Sequence, residues 1–592
     1  MEFKDFSFIY GDDLTQQPAI SDISFQLKKG EYLILAGPSG SGKSTLTNAI
    51  NGIIPFRLKG YMKGTTHILG KNVENYDFME LSRNVGLVKQ NPLEQLVTFT
   101  VRDEIAFGLE NLKYSKEEIK NRVEEIANLM EIKHLLDRTI DQLSGGQKQI
   151  VILSSFLVMN PKILILDEPI AFLDQNSESL LLNRLKRLKK SNDFNLTIII
   201  VEHRLSRVID LADKILILNE EGKIALYGDI SEIIEKKFTI LKSCNVRVPW
   251  ILDLFFKFKN LNDPSKKFVP PKNFQDLLTL LHFLNKNELY SLKELLIDTE
   301  IEPIHLKSFE NYEEKIHFNN LYIESLKQVE IIRDSPKLEQ KKELGTILEV
   351  QNLIFEYPNT QIKAINNLSL KIKEGDFIGL IGPNGSGKTT LLYLLANLYE
   401  PKSGEILFKG KNLKDLDIYD YAQKIGFIFQ NPENMIFKST IKKEILYGPE
   451  NFGISDKIDD IYLKKLIQLI GNEDEEKNPF NLSWGQKRRL NLSSIFIYNP
   501  DIILLDEPFI GQDQKTIDSL IETLFIENKR GKTIIISSHD YHLLLKYTRR
   551  IIELNRDGTL KDDKPNKEFF SHHKNLGPVI LLDEINKNIN KS

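Results

Sequence analysis

The chain has almost no cysteine and no long apolar run. Cys244 is the only cysteine in 592 residues, so no internal disulfide forms, and modules built on clustered thiolates, zinc fingers and iron-sulfur centres among them, are excluded. A reducing cytoplasm fits this usage. No stretch approaches the roughly 18 or more consecutive apolar residues of a membrane-spanning helix, and the charged start Met1-Glu2-Phe3-Lys4-Asp5 lacks a signal-peptide core. If the protein works at a membrane, something else crosses it. A basic surplus is also missing: Lys and Arg number 79 against 83 Asp and Glu, a net charge of -4, which disfavours nucleic acid as a partner. The hydrophobic share of 41% is ordinary for a core-forming chain, and the length allows about four compact units.

What the chain does carry is a repeated glycine-rich segment. Gly37-Pro38-Ser39-Gly40-Ser41-Gly42-Lys43-Ser44-Thr45 returns almost unchanged as Gly382-Pro383-Asn384-Gly385-Ser386-Gly387-Lys388-Thr389-Thr390. Each copy lies between an apolar run that reads as a buried strand, Tyr32 to Ala36 or Phe377 to Ile381, and a stretch that reads as a helix. Glycines let the backbone turn through positive φ, so that consecutive N–H groups point at a triphosphate at the helix N-terminus. Lys43 and Lys388 then reach the β- and γ-phosphates, and Ser44 and Thr389 place a hydroxyl on Mg2+.

The repeat extends far beyond these loops. Gln90-Asn91-Pro92 matches Gln430-Asn431-Pro432, Leu143-Ser144-Gly145-Gly146-Gln147 matches Leu482-Ser483-Trp484-Gly485-Gln486, Asp167-Glu168-Pro169 matches Asp506-Glu507-Pro508, and His203 matches His539. The order is the same in both, and the offset drifts only from 345 to 336 residues, so one domain is duplicated with small insertions, including extra residues near Pro55 to Gly64 in the first copy. The expected spans are 1–235 and 346–570, with a helical appendage and linker over 236–345 and a C-terminal tail over 571–592. Within the linker, Asn273 is placed to cap an amphipathic helix through Leu277, Leu278, Leu281 and Leu284, and the charged run Lys327 to Lys342 reads as a solvated tether.

The chemistry follows from strand ends. Lys162 to Leu166 and Ile502 to Leu505 read as buried parallel strands that terminate in Asp167-Glu168 and Asp506-Glu507, and in open α/β sheets ligands bind at such carboxyl ends. Beside a triphosphate, the aspartate supports Mg2+ and the glutamate orients and deprotonates water. An isolated Asp-Glu pair would be an ordinary polar strand terminus; recurrence at the same distance from two glycine loops argues otherwise. Thr197 to Val201 and Thr533 to Ile536 read as further strands, closely followed by His203 and His539, where an imidazole stabilises charge on a γ-phosphate. Ser144 precedes a helical run, Lys148 to Met159, whose start offers free N–H groups to an anion.

Together these elements resemble the ATP-binding-cassette ATPases, over roughly 80% of the chain by the spans above. The resemblance implies an α/β fold: two P-loop NTPase domains in tandem, each a mostly parallel sheet core with a helical subdomain. It implies ATP with Mg2+, and ATP hydrolysis by Glu168 and His203 in the first copy and by Glu507 and His539 in the second. ATP contacts would come from Gly37 through Thr45, Gln90, and Ser144, Gly145, Gly146 and Gln147, and from Gly382 through Thr390, Gln430, and Ser483, Gly485 and Gln486. Tyr10 and Tyr357 stand where the family stacks an aromatic on adenine. Around Mg2+ the family's pattern brings Ser44, Gln90 and Asp167, or Thr389, Gln430 and Asp506. Cassettes in this family face each other head to tail, which would pair Lys43, Glu168 and His203 with Ser483, and Lys388, Glu507 and His539 with Ser144.

A finer resemblance lies after the glutamine loops. Gln90-Asn91-Pro92-Leu93-Glu94-Gln95 with Asp103 to Leu112, and Gln430-Asn431-Pro432 with Tyr447 to Gly453, are similar to the ATPases of energy-coupling-factor importers, here in a fused form. That family works at the cytoplasmic face of the membrane with a transmembrane coupling subunit and a substrate-binding membrane subunit, and takes up vitamins, thiamine precursors or metal ions. Met435 in place of Gln95, and Trp484 in place of a signature glycine, depart from the pattern. If that glycine serves positive φ, Trp484 carries about 1 to 2 kcal/mol of backbone strain and the two sites differ in turnover; otherwise the indole simply turns toward a partner or solvent. Two other readings share the tandem arrangement: a sugar-importer ATPase, and a translation-factor ATPase on the ribosome, the latter opposed by the acidic balance.

Overall fold

The computed structural model describes residues 1–11, 15, 17–38, 40–171, 173, 175–190, 195–244, 246–261, 270–271, 274–296, 345–358, 363–471, 474–510, 512, 514–539, 543–544, 547–566, 568–569, 584–585 and 587–589. The chain divides into two compact units, Met1–Leu280 and Leu281–Ser592. Ser39, Asn273, the run Lys327 to Lys342 and nearly all of 571–592 fall outside the described residues.

Among the described residues the first unit contains ten strands: β1 Glu2–Tyr10, β2 Ile20–Gln26, β3 Tyr32–Ala36, β4 Gly60–Ile68, β5 Lys71–Asn72, β6 Val85–Val88, β7 Ile163–Asp167, β8 Thr197–Val201, β9 Lys214–Leu218 and β10 Ile224–Asp229. They form an antiparallel sheet of order β2-β1-β4-β5 and a six-stranded sheet of order β10-β9-β3-β8-β7-β6. In the larger sheet only β10 runs antiparallel. Burial explains the division. β3, β8 and most of β7 are covered on both faces and are continuous runs of apolar residues, while β1 alternates between buried and exposed positions. Phe3, Phe6, Phe8, Ile20 and Ile23 from the antiparallel sheet pack with Leu46, Ala49 and Ile50 of the helix Lys43–Ile50 and with Leu33 and Leu35 of β3. Each large side chain buried there contributes roughly 1.5 to 3 kcal/mol, which fixes the glycine loop between the two sheets.

The second unit repeats this plan: β11 Thr346–Glu356, β12 Lys363–Lys373, β13 Phe377–Ile381, β14 Ser403–Phe408, β15 Lys411–Asn412, β16 Ile425–Ile428, β17 Ile502–Asp506, β18 Thr533–Ser537, β19 Arg550–Leu554 and β20 Leu560–Pro565. The orders are β12-β11-β14-β15 and β16-β17-β18-β13-β19-β20, again with only the last strand of the larger sheet antiparallel. Each unit inserts helices between the strand bearing the glutamine loop and the strand bearing the Asp-Glu pair: Val101–Asn111, Lys116–Leu129 and Gly145–Leu157 in one, Ile441–Asn451, Asp460–Leu469 and Trp484–Phe496 in the other.

Two expectations change at helix ends. The helix after Ser144 begins at Gly145, a turn earlier than Lys148, and closes at Leu157; the Ser144 cap draws both glycines into the first turn. The linker helix spans Phe274–Leu281, and Leu284 lies in the turn before a second helix, Lys286–Leu296. Leu277, Leu281 and Leu284 are all buried, so the apolar spacing marked buried positions, not one continuous helix.

Candidate active site

The glycine loop follows β3 directly and turns into the helix Lys43–Ile50. Gly42 has φ 86 and its counterpart Gly387 φ 89; a Cβ at either would lie 2.4 Å from the Ala19 carbonyl oxygen or 2.2 Å from that of Ala364. Only glycine satisfies both the conformation and the space. The lysine of each loop folds back over its own backbone: Lys43 Nζ donates to the carbonyls of Gly37 (2.9 Å) and Pro38 (2.8 Å), and Lys388 Nζ to those of Gly382 (2.9 Å) and Pro383 (3.2 Å). Inside the loops, the hydroxyls of Ser41 and Ser386 are buried without a partner. An anion seated there gains donors already aimed at it. Tyr10 and Tyr357 bond the helix behind the loop, through Thr45 Oγ1 (3.0 Å) and Thr390 Oγ1 (2.8 Å), and keep their rings more than a third exposed.

Opposite the loops stand the Asp-Glu pairs at the ends of β7 and β17. Glu168 and Glu507 both adopt left-handed backbone, φ 44 and 46, a strained state for a glutamate costing about 1 to 2 kcal/mol. The same strain in both copies turns each carboxylate away from its strand. His203 Nε2 lies 3.1 Å from Glu168 Oε1, and His539 Nε2 lies 3.2 Å from Glu507 Oε1. Glutamate and histidine are thus in contact in each unit, a proximity that the sequence reading did not state. Burial pushes Glu168 up, but the His203 bond together with Lys43 and Arg204 outweighs it and holds the carboxyl below its ordinary value. Gln90 Nε2 donates to Glu168 Oε2 at 2.7 Å.

Asp167 and Asp506 carry charge that the protein does not fully compensate. Burial, then Glu168, pushes Asp167 up to about 6; burial also raises Asp506 despite hydrogen bonds from Ser537 and Thr389. Thr389 Oγ1 lies 2.9 and 3.1 Å from the two Asp506 oxygens, whereas Ser44 is exposed. A hydroxyl beside an under-compensated buried carboxylate is an oxygen donor set that suits Mg2+.

The serines Ser144 and Ser483 cap their helices in the same way. Each side chain accepts from the backbone N–H of Gln147 or Gln486, and those glutamines accept in return from the serine N–H at 2.9 and 3.0 Å. Gly145 has no positive φ, and a Cβ on it would meet nothing within 4 Å. Trp484 occupies the matching position as the first residue of its helix and is likewise not left-handed. The backbone strain that one of the two readings placed at Trp484 is thus absent, because this signature position is helical, and the indole nitrogen is enclosed, not turned to solvent. Gly146 differs: a Cβ there would lie 2.6 Å from Ser177, so this glycine is required for close packing, and Gly485 retains it.

Sequence reasoning missed three side chains and one backbone contact. Arg204 Nη2 reaches the Ile170 carbonyl at 3.1 Å. Arg247, beyond the sheet, pairs with the histidine loop: its N–H donates to His203 O (3.2 Å) and its carbonyl accepts from Leu205 N–H (3.0 Å). Arg488 and Asn491, inside a helix that reads as charged, are fully buried. Their signal was a polar pair on a face where the first copy has apolar Ile152.

Both halves of this geometry coincide with one known family. The profile described as ABC transporter matches residues 20–171 and again 365–510. The chain belongs to the ABC transporter ATPases. It is 32% identical over 574 residues to a provisionally assigned ABC transporter ATP-binding protein of Methanosarcina acetivorans, covering 97% of this chain and 87% of that one. It is 31% identical to the provisionally assigned HMP/thiamine import ATP-binding protein YkoD of Bacillus subtilis, over 95% of this chain and 91% of that one. A solved structure of cbiO1 from Clostridium perfringens, described as part of the ABC transporter complex cbiONQ, shares 32% identity over 43% of this chain and 98% of its own, with a TM-score of 0.37. As a member of this family, the ATPase binds and hydrolyses ATP with two cassettes in one chain.

Proposed function

We propose that this ATPase energises a membrane importer of the energy-coupling-factor type, docking as a peripheral subunit on the cytoplasmic face against a transmembrane coupling subunit that works with a substrate-binding membrane subunit. The observation that carries the reading is a pair of ordered apolar surfaces beyond the glutamine loops. In the first cassette the buried Glu104 carboxylate accepts from the backbone of Val97 and Thr98 at 3.0 and 2.9 Å, while Leu93, Val97 and Phe99 face outward, Phe99 with 87% of its surface exposed. Glu444 repeats this by accepting from Phe437 and Lys438 N–H, with Phe437 exposed. Holding a loop rigid while presenting its apolar side chains suits a partner surface. No described helix is long and apolar enough to cross a membrane, so the membrane-spanning part of such an importer would be supplied in trans. The import function named for the Bacillus subtilis relative agrees with this reading. The transported substrate is a vitamin, a thiamine precursor or a metal ion.

In the proposed reaction, Glu168 and Glu507 take a proton from the attacking water, and His203 and His539 donate to the γ-phosphate. Lys43 and Lys388 neutralise charge on the β- and γ-phosphates, and Tyr10 and Tyr357 receive the adenine. Ser44, Gln90 and Asp167, and Thr389, Gln430 and Asp506, would hold Mg2+. That ion, when bound, neutralises charge that develops on the phosphate oxygens. Ser483 serves the nucleotide held by Lys43, and Ser144 the one held by Lys388. Cysteines placed at Phe99 and Lys438 test the partner: they should crosslink to an integral membrane protein, and crosslinks confined to ribosomal components would refute the importer reading.

A further inference from the structure

Arg488 is the largest fully buried side chain among the described residues, with 1% of its surface exposed. Burying a guanidinium is costly unless its donors are used. Two of them are spent on the glutamine loop: Nη2 donates to the Gln430 carbonyl at 2.6 Å, and Nη1 to the carbonyl of Phe429. Burial lowers Arg488 to about 10, opposed by the charge of Asp506. One turn on, Asn491 Nδ2 donates to the Pro432 carbonyl at 2.9 Å, and one residue before, Lys487 pairs with Glu433. Three side chains of the signature helix Trp484–Phe496 thus grip residues 429 to 433.

The first cassette is built otherwise. Lys148, Gln149 and Ile152 stand at the matching positions; Gln149 is buried with its amide nitrogen unpartnered, and Ile152 is apolar core. Its glutamine loop is tied to itself, since Gln95 accepts from Lys89 N–H at 2.7 Å and donates to the Leu87 carbonyl at 2.9 Å, while Gln90 rests on Glu168. In the second cassette Met435 replaces Gln95 and packs against the apolar core, so this self-tie is gone and the signature helix takes it over.

We propose that Arg488 is a positioning residue that makes the glutamine loop of the second cassette move as one piece with its signature helix, whereas the loop of the first cassette packs on its helix without those hydrogen bonds and follows it less tightly. A partner pressing on residues 432 to 438 then shifts Ser483 directly, and the two cassettes transmit docking unequally. This rests on reading the Gln430 loop as the element that senses the partner.

The test is amide hydrogen exchange on the full nucleotide-free chain, following peptides over 427–436 and 87–96, with ATP turnover measured alongside. Arg488→Gln gives the second cassette the residue of the first. Exchange over 427–436 should rise about tenfold or more, as expected on losing two charge-assisted hydrogen bonds, with 87–96 and the strands of the second cassette unchanged. KM for ATP should stay within about twofold while kcat falls, because the glycine loop is untouched. Arg488→Lys keeps the charge but reaches fewer carbonyls, so it should give an intermediate exchange rate, and it serves as the test if the glutamine variant does not fold. Native protection over 427–436 in either variant, or a uniform rise across the whole second cassette, overturns the proposal. Native turnover in Gln430→Ala would instead defeat the reading of the loop, leaving the exchange result standing.

Discussion

The amide nitrogen of Gln90 lies 2.7 Å from Oε2 of Glu168, so the first residue of the glutamine loop touches the carboxylate proposed to accept a proton from water. The bond from His203, with Lys43 and Arg204, keeps Glu168 ionised although it is buried, and Gln90 supplies a neutral donor beside it. Gln90→Glu places a second carboxylate at this distance, and like charges disfavour ionisation. The acid limb of the pH–rate profile, read in a Glu507→Gln background so that only the first site contributes, should move to higher pH. An unmoved limb would show that Gln90 does not bear on Glu168.

Asp167 provides a pH dependence of stability with a definite sign. Its folded-state value of about 6 lies above the ordinary 3.8, so the folded protein binds this proton more tightly than the unfolded chain. Stability therefore falls as pH rises from about 4 to about 6, by at most about 3 kcal/mol. Asp167→Asn should abolish that fall and be the more stable form above pH 6 in the absence of nucleotide. Urea unfolding followed by Trp250 fluorescence in a Trp484→Phe background reports it. A pH-independent wild type between 4 and 6 would contradict the account.

The duplicated sheets and their loops were legible because continuous apolar runs ending in Asp-Glu, and glycines before a lysine, have few structural alternatives. β3, β13 and β8 have the limits read from their apolar runs, Tyr32 to Ala36, Phe377 to Ile381 and Thr197 to Val201. The contacts that tune the sites were not legible. Arg488 sits in Lys487-Arg488-Arg489, a run that reads as a solvated face, and only its carbonyl acceptors, some 58 residues away in sequence, reveal it as buried. The left-handed backbone at Glu168 and Glu507 follows from tertiary packing that no local pattern records.

Trp484 illustrates the same limit. Because the matching Gly145 is helical and Trp484 is half-buried with its indole nitrogen enclosed, Trp484→Gly should lower stability by about 1 to 3 kcal/mol through lost packing and helix propensity, not raise it. It should also leave the ratio of losses from Glu168→Gln and Glu507→Gln unaltered. A gain of 2 kcal/mol or more in denaturant unfolding would restore the strain explanation.

The backbone pairing of Arg247 with His203 and Leu205 predicts a difference between two substitutions at one position. Arg247→Pro deletes the N–H that holds His203 O and should lower kcat at the first site several-fold more than Arg247→Ala, which keeps it. The comparison belongs in the Glu507→Gln background. Equal losses would assign the effect to the Arg247 side chain.

The account as a whole rests on two complete hydrolytic centres, each a glutamate held by its histidine beside a glycine loop. The direct measurement is ATP binding and turnover by Glu168→Gln with Glu507→Gln. Turnover should fall by about two to four orders of magnitude, the range for loss of a general base, while ATP binding persists because the phosphate cradles are intact. Unchanged turnover in the double variant would contradict the account.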